Sequence, residues 1–191
     1  PVSVVASTPF VLVVNPSVNA TSVKDLIALA KTRPGTLNYG SSGTGGTLHM
    51  LTEMFKTVAR INVVHVPYKS SSFMLIDLAS GQVQLAIAAL PAAAPLIKQG
   101  KLRALGVTSL KRTPLAPELE PIADSVPGYE MMGWYGLVAP VKTPRQIVAT
   151  LNSAILGVLQ SAEIKDKLHV LGAEPVGSTP EAFASVIAAQ T

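Results

Sequence analysis

The chain has 191 residues, of which 48% are hydrophobic and 14% charged, enough apolar material for a packed core and a composition that argues against disorder. It has no cysteine, which excludes disulfides, thiolate catalysis and Cys-ligated zinc. The formal charge of +4 is scattered, with Lys111-Arg112 the longest basic run, so no nucleic-acid partner is expected, whereas a small anionic ligand suits the mild positive field.

Residues Val2–Val14 are apolar and β-branched and predict two strand pieces with a bend at Thr8-Pro9. Asn15-Pro16-Ser17 is a turn. Thr21 or Ser22 caps a helix striped by Leu26, Ile27, Leu29 and Ala30 and stopped by Pro34-Gly35. Leu37-Asn38-Tyr39 predicts a short strand that runs into the glycine-rich segment Gly40–Thr47. A helix follows with Leu48, Leu51, Met54, Phe55 and Val58 on one face, Met50 and Met54 being expected in the core. Ile61–Val66 predicts a strand closed by Pro67-Tyr68-Lys69, and Ser70–Leu78 a helix stopped near Gly81. Val83–Ala89 reads as a buried strand, Pro91–Lys98 as a short helix and Leu102–Thr108 as a further strand. Thr113–Gly128 is proline-rich, with room for one helical turn. Trp134–Ala139 is extended. Three helices close the pattern, from Thr143-Pro144 to about Gln160, over Ala162–Leu171, and from Ser178-Thr179-Pro180-Glu181 onward. The strands are apolar throughout rather than half polar, so both faces of an α/β sheet are expected to be covered and the sheet to be mostly parallel.

Chemistry concentrates in Gly40–Thr47, between a strand and a helix start. Four glycines let the backbone turn tightly and approach a ligand. The first turn of a helix has unpaired N–H groups and a partial positive charge. Together these features suit an anion. The candidate contacts are Ser41, Ser42, Gly43, Thr44, Gly45, Gly46 and Thr47; the plainer alternative is a turn capped by Thr44 or Thr47. Gly40, Gly45 and Thr47 fall at the positions of a phosphate-binding P-loop, but Gly46 stands where that loop has its lysine. The dinucleotide fingerprint fails at Leu48. A carboxylate demands less charge and fits best.

Enzyme constellations are sparse. No G-x-S-x-G elbow, no S-x-x-K and no H-x-x-x-H spacing occurs. His49 and Glu53, four apart on one helix face, are expected to be a solvated or capping pair. No catalytic residue, metal or cofactor is assigned. Tyr68 ends a strand where ligands gather in open α/β sheets, and Lys69 beside it offers a charge for a second carboxylate. Trp134, with Tyr135, offers a wall for a cleft, against the alternative of core packing.

Several of these segments resemble one family. They are Tyr39-Gly40-Ser41-Ser42-Gly43-Thr44-Gly45, Leu48-His49, Val64-His65-Val66-Pro67-Tyr68-Lys69, Gly81-Gln82-Val83, Gly100–Leu105, Val126-Pro127-Gly128, Trp134–Pro140 and Leu171–Pro175. In order and in content they are similar to the Bug/TctC receptors of tripartite tricarboxylate transporters. The resemblance implies a periplasmic protein of the type II-like, Venus-flytrap binding fold. Its partners would be a small carboxylate and the transporter's membrane subunits, and it would not be an enzyme. It implies that residues 10–132 form the second, ligand-binding lobe and that residues 1–9 and 133–191 are a remnant of the first. The family's first segment and export signal have no counterpart here. One complete lobe plus part of the other is therefore expected, with a sheet edge open to dimerisation. Many members carry an Asp where this chain has Ala88, which favours a plain carboxylate over an amino acid as ligand. Two alternatives stand beside this reading. One is a hydrolase or transferase using the Gly40–Thr47 loop, with His49 or His65 as base. The other is the ligand-sensing domain of a regulator.

Overall fold

The computed structural model describes residues 1–189 and divides into two compact units. The larger is Pro9–Met132; the smaller joins Pro1–Thr8 to the chain from Gly133 onward.

The sheet of the larger unit comprises β1 (Ser3–Val14), β2 (Asn38–Ser41), β3 (Val64–Pro67), β4 (Leu85–Ala89) and β5 (Arg103–Val107), in the order β3-β2-β4-β1-β5. β2 runs parallel to β3, with Tyr39 opposite His65, and parallel to β4, with Gly40 opposite Ala86. β1 runs antiparallel to both β4 and β5. The sheet is therefore mixed, which corrects the expectation of a mostly parallel one. Val11–Val14 and Leu85–Ala88 are fully buried at every position, so both sheet faces are covered. A strand buried on both faces is uniformly apolar whichever way it runs, so its composition reports burial and not direction.

β1 is one strand, not two. Its first part belongs to the smaller unit and pairs within it, Ala6 opposite Pro175, and its second part starts on β4 at Phe10 opposite Ala89. Pro9 falls where the strand changes partners, a place that tolerates proline.

Four helices pack with this sheet in the larger unit: α1 (Val23–Thr32), α2 (Thr47–Ala59), α3 (Ser71–Ser80) and α4 (Leu90–Lys98). The Ser22 side chain caps α1 and the Ser70 side chain caps α3. α2 and α3 both lie against β2 and β4. α2 buries Leu48, Leu51, Thr52, Phe55 and Ala59. Met50 is exposed, contrary to its expected core position, because it sits about half a turn of the helix away from Leu48. Val58 is exposed at the edge of the buried stripe, and Met54 packs against the core from the side. A short 3₁₀ turn, Ile122–Asp124, is the one regular helical piece of the proline-rich segment.

The smaller unit contains β6 (Met132–Leu137) and β7 (Glu174–Pro175), both pairing with β1, and α5 (Arg145–Leu159), α6 (Ala162–Val170) and α7 (Pro180–Ala189). Asn152 ties it together by donating to the carbonyls of Val2 and Ser178 at 2.9 and 2.7 Å. Buried Phe183 meets the ring of Trp134 edge-on, with centroids 5.2 Å apart. Among the described residues no single helix is long and apolar enough to cross a membrane.

Gly40 is where β2, α3 and the segment after β3 meet. A Cβ added there would fall 2.6 Å from Met74 Cγ and 3.3 Å from the Tyr68 ring. Gly40→Ala is expected to destabilise the protein by about 1–3 kcal/mol, the usual cost of overpacking. Urea unfolding measures it, and an unchanged midpoint would show that α3 moves aside freely.

Candidate functional site

β2 lies between β3 and β4 and ends at Ser41, from which the chain turns through Ser42–Gly46 into α2. The turn needs φ of +120° at Gly43 and +78° at Gly45, a region that L side chains avoid. Gly46 is the N-cap of α2, and no side chain caps the helix there. Thr44 and Thr47 are exposed, and neither acts as the cap. The amides of Thr47 and Leu48 have no acceptor among the described residues. They stand at the positive end of a 13-residue helix.

Ser42 and Gly46 are half-buried, and Thr44, Gly45 and Thr47 are exposed. Ser41 differs. It is fully buried, and its Oγ lies 2.7 Å from His65 Nε2, 3.2 Å from the Gly43 amide and 3.1 Å from the Gly43 carbonyl. The distance to His65 is that of a nucleophile and its base. The burial is not, because no substrate carbonyl reaches an oxygen enclosed by its own loop. Ser41 therefore shapes the turn from behind.

Tyr68 joins the same group. Its N–H donates to the Ser41 carbonyl at 3.0 Å, and its ring covers Gly40. Lys69 beside it is exposed. The structure thus gathers Ser41–Thr47 and Tyr68 at one end of β2 and β3. Trp134 belongs to the smaller unit, where it packs on Phe183.

A polar cluster that sequence reasoning did not assemble backs the loop. His49 and Glu53, expected to be a solvated or capping pair, have separate partners. His49 Nδ1 accepts the Gly45 N–H at 3.2 Å, while the Glu53 carboxylate accepts from Tyr39 Oη at 2.5 Å and Lys56 Nζ at 2.6 Å. The rings of Tyr39 and His65 stack at 4.8 Å, and those of His65 and His49 sit 4.2 Å apart. Two signals for the cluster exist in the sequence: the spacing of His49, Glu53 and Lys56 along one helix face, and histidine and tyrosine at matching places in adjacent strands. Among the described residues no three His, Asp or Glu side chains are arranged to hold a metal ion.

The cluster shifts its own ionisation. Burial would raise the Glu53 carboxyl, but hydrogen bonds from Lys56 and Tyr39 outweigh it and hold the group below its usual value. Burial, followed by the Glu53 carboxylate, pushes the Tyr39 hydroxyl up. Burial, reinforced by nearby His49, holds His65 below its usual value. Burial, with Asp77 beside it, pushes the Tyr68 hydroxyl up.

Comparison with known proteins adds the following. The family model described as Tripartite tricarboxylate transporter family receptor matches residues 1–191. BugT of Bordetella pertussis is 36% identical over 191 residues, covering 98% of this chain and 58% of BugT. The structure of R. palustris Rpa4515 with adipate is 44% identical with a TM-score of 0.87, over 99% of this chain and 64% of that one. The periplasmic binding protein BugD is 27% identical with a TM-score of 0.82, over 100% of this chain and 64% of that one. The chain therefore spans somewhat under two thirds of the length of these relatives. Over that span its fold is that of periplasmic binding proteins of this type.

The shift at His65 sets a pH dependence. Its folded value lies below the usual 6.5, so as pH falls the unfolded chain takes up the proton first and stability drops below about that pH. The contribution of Glu53 is intact above its usual 4.5 and is lost only as pH falls further. Urea midpoints are expected to fall between about pH 7.5 and about pH 5.5, and less so in His65→Gln. A variant that loses stability as steeply as the wild type would remove His65 from this account.

Proposed function

The chain belongs to the tripartite tricarboxylate transporter receptor family, and from that premise we propose that it is the carboxylate-holding part of a periplasmic solute receptor. It captures a small carboxylate and hands it on without changing it. Ligand-loaded receptor then meets the membrane subunits of its transporter.

The observation that carries this reading is the uncapped start of α2. Gly46 contributes no side chain, and the amides of Thr47 and Leu48 are left to an external acceptor. A carboxylate oxygen suits them in charge and geometry. Ser42, Thr44 and Thr47 add hydroxyl donors around it, Gly43, Gly45 and Gly46 allow close approach, and Tyr68 borders the turn. Ser41 supports the turn from inside.

Rpa4515, solved with adipate, supports a dicarboxylate as the class to test first. Ala88 is fully buried in β4 and presents no acid to a ligand amine, which favours plain carboxylates over amino acids. The enclosed Ser41 hydroxyl speaks against a hydrolase with Ser41 as its nucleophile.

The test is a thermal-shift screen with mono-, di- and tricarboxylates and amino acids, followed by calorimetry. A ligand at a hundredfold its dissociation constant adds about 2.7 kcal/mol of stability. Thr47→Pro isolates the amide, because proline is tolerated at the first helical position yet has no N–H. The extended backbone of Gly46, φ −75° and ψ 167°, is compatible with a following proline. Thr47→Pro is expected to weaken adipate about tenfold or more, with little change in melting temperature, and Thr47→Ala to weaken it less. If Thr47→Pro binds as tightly as the wild type, the ligand does not dock on this helix.

A further inference from the structure

His49 stands at the third position of α2 and its ring turns back along the helix axis, where Nδ1 accepts the Gly45 N–H at 3.2 Å. In a capping box the side chain at that position, usually Glu or Gln, accepts the N–H of the cap residue; His49 reaches one residue further back, to Gly45. With glycine at the cap position, His49 is what ties the turn to the first turn of the helix. It occupies one amide, Gly45, and leaves those of Thr47 and Leu48 open beside it.

We propose that His49 is a positioning residue of the carboxylate loop, fixing the Gly45–Gly46 segment through an unprotonated Nδ1 so that the open amides are held ready for ligand. This rests on the carboxylate reading given above. A nitrogen that accepts an N–H carries no proton, so the neutral ring bears its hydrogen on Nε2. A second proton converts the acceptor into a donor that faces the Gly45 N–H, and the tie is lost.

The groups facing the ring come from three elements. His65 on β3 lies 4.2 Å away and Tyr39 on β2 lies 6.4 Å away, centroid to centroid. Glu53 and Lys56 follow on α2 itself. These two, paired with each other at 2.6 Å, are the charged groups of α2 on that side. The Glu53 carboxylate takes hydrogen bonds from Tyr39 and Lys56.

The experiment titrates adipate into the wild-type chain, His49→Ala and His49→Gln from about pH 8 to about pH 5 by calorimetry. Gln keeps an acceptor at similar reach and does not titrate. At the alkaline end His49→Ala is expected to weaken adipate about five- to tenfold, and His49→Gln to stay within about twofold of the wild type. Toward acid pH the wild-type dissociation constant is expected to rise relative to that of His49→Gln. Equal affinity of His49→Ala and the wild type, or parallel pH profiles for the wild type and His49→Gln, would overturn the proposal. If His49→Ala does not fold, the His49→Gln profile decides. A ligand-free arm separates this proposal from the functional reading. In nitrogen-15 spectra the Gly45 amide is expected to move with protonation of His49 Nδ1, and to stay still with pH in His49→Gln. A Gly45 amide indifferent to His49 overturns the positioning role. Absence of adipate binding, with the Gly45 amide still following His49, sinks the choice of ligand and leaves the positioning role standing.

Discussion

The site depends on a helix that begins without a side-chain cap. Every α-helix opens with four N–H groups that its own carbonyls cannot satisfy. α1 and α3 meet this need with Ser22 and Ser70. α2 does not, because Gly46 occupies the cap position after a turn that demands positive φ at Gly43 and Gly45. Replacing a serine cap with glycine costs only a few tenths of a kcal/mol. That small loss leaves amides available at the end of β2, the edge of the sheet where α/β proteins collect ligands.

Such a turn needs rigid backing, since glycines cost more chain entropy to fix than other residues. The backing is polar and comes from three directions. Ser41 closes the turn on Gly43 from the strand, His65 holds Ser41 from β3, and His49 holds Gly45 from the helix. Tyr39, Glu53 and Lys56 complete the layer beneath. No buried side-chain nitrogen or oxygen among the described residues lacks a hydrogen-bond partner. A satisfied network of this kind favours one arrangement of the loop, which is what a preorganised binding site requires. The same arrangement sets a serine and a histidine 2.7 Å apart. The serine hydroxyl is inside the protein.

Binding by backbone amides, as proposed above, would also suit the modest charge of the site. Lys69 beside Tyr68 is exposed, and Lys56 is held by Glu53. A nucleoside triphosphate needs a lysine in its loop, whereas a carboxylate is served by a few N–H and hydroxyl donors.

Much of the fold was legible from local chemistry. Serine caps, glycine stops and apolar periodicity marked α1, α3 and the helices of the smaller unit, because each is decided within a few residues. The glycine-rich turn and the helix after it were legible for the same reason. What the sequence left open depended on neighbours distant in the chain. It did not reveal that β1 runs against β4 and β5, since strands covered on both faces look alike in either direction. It did not reveal that Thr8-Pro9 sits inside one continuous strand, since that depends on partners distant in the chain, Ala89 opposite Phe10 and Glu174 opposite Ser7. Nor did it join His65 to Ser41 or Tyr39 to Glu53, because strand register and helix packing bring those pairs together. The sequence by itself determined the chemistry of the turn, through glycines where positive φ is required and hydroxyls around them. Only the tertiary structure decided which groups of the turn are exposed and which hold it in place, because burial and hydrogen bonding are settled by what packs behind.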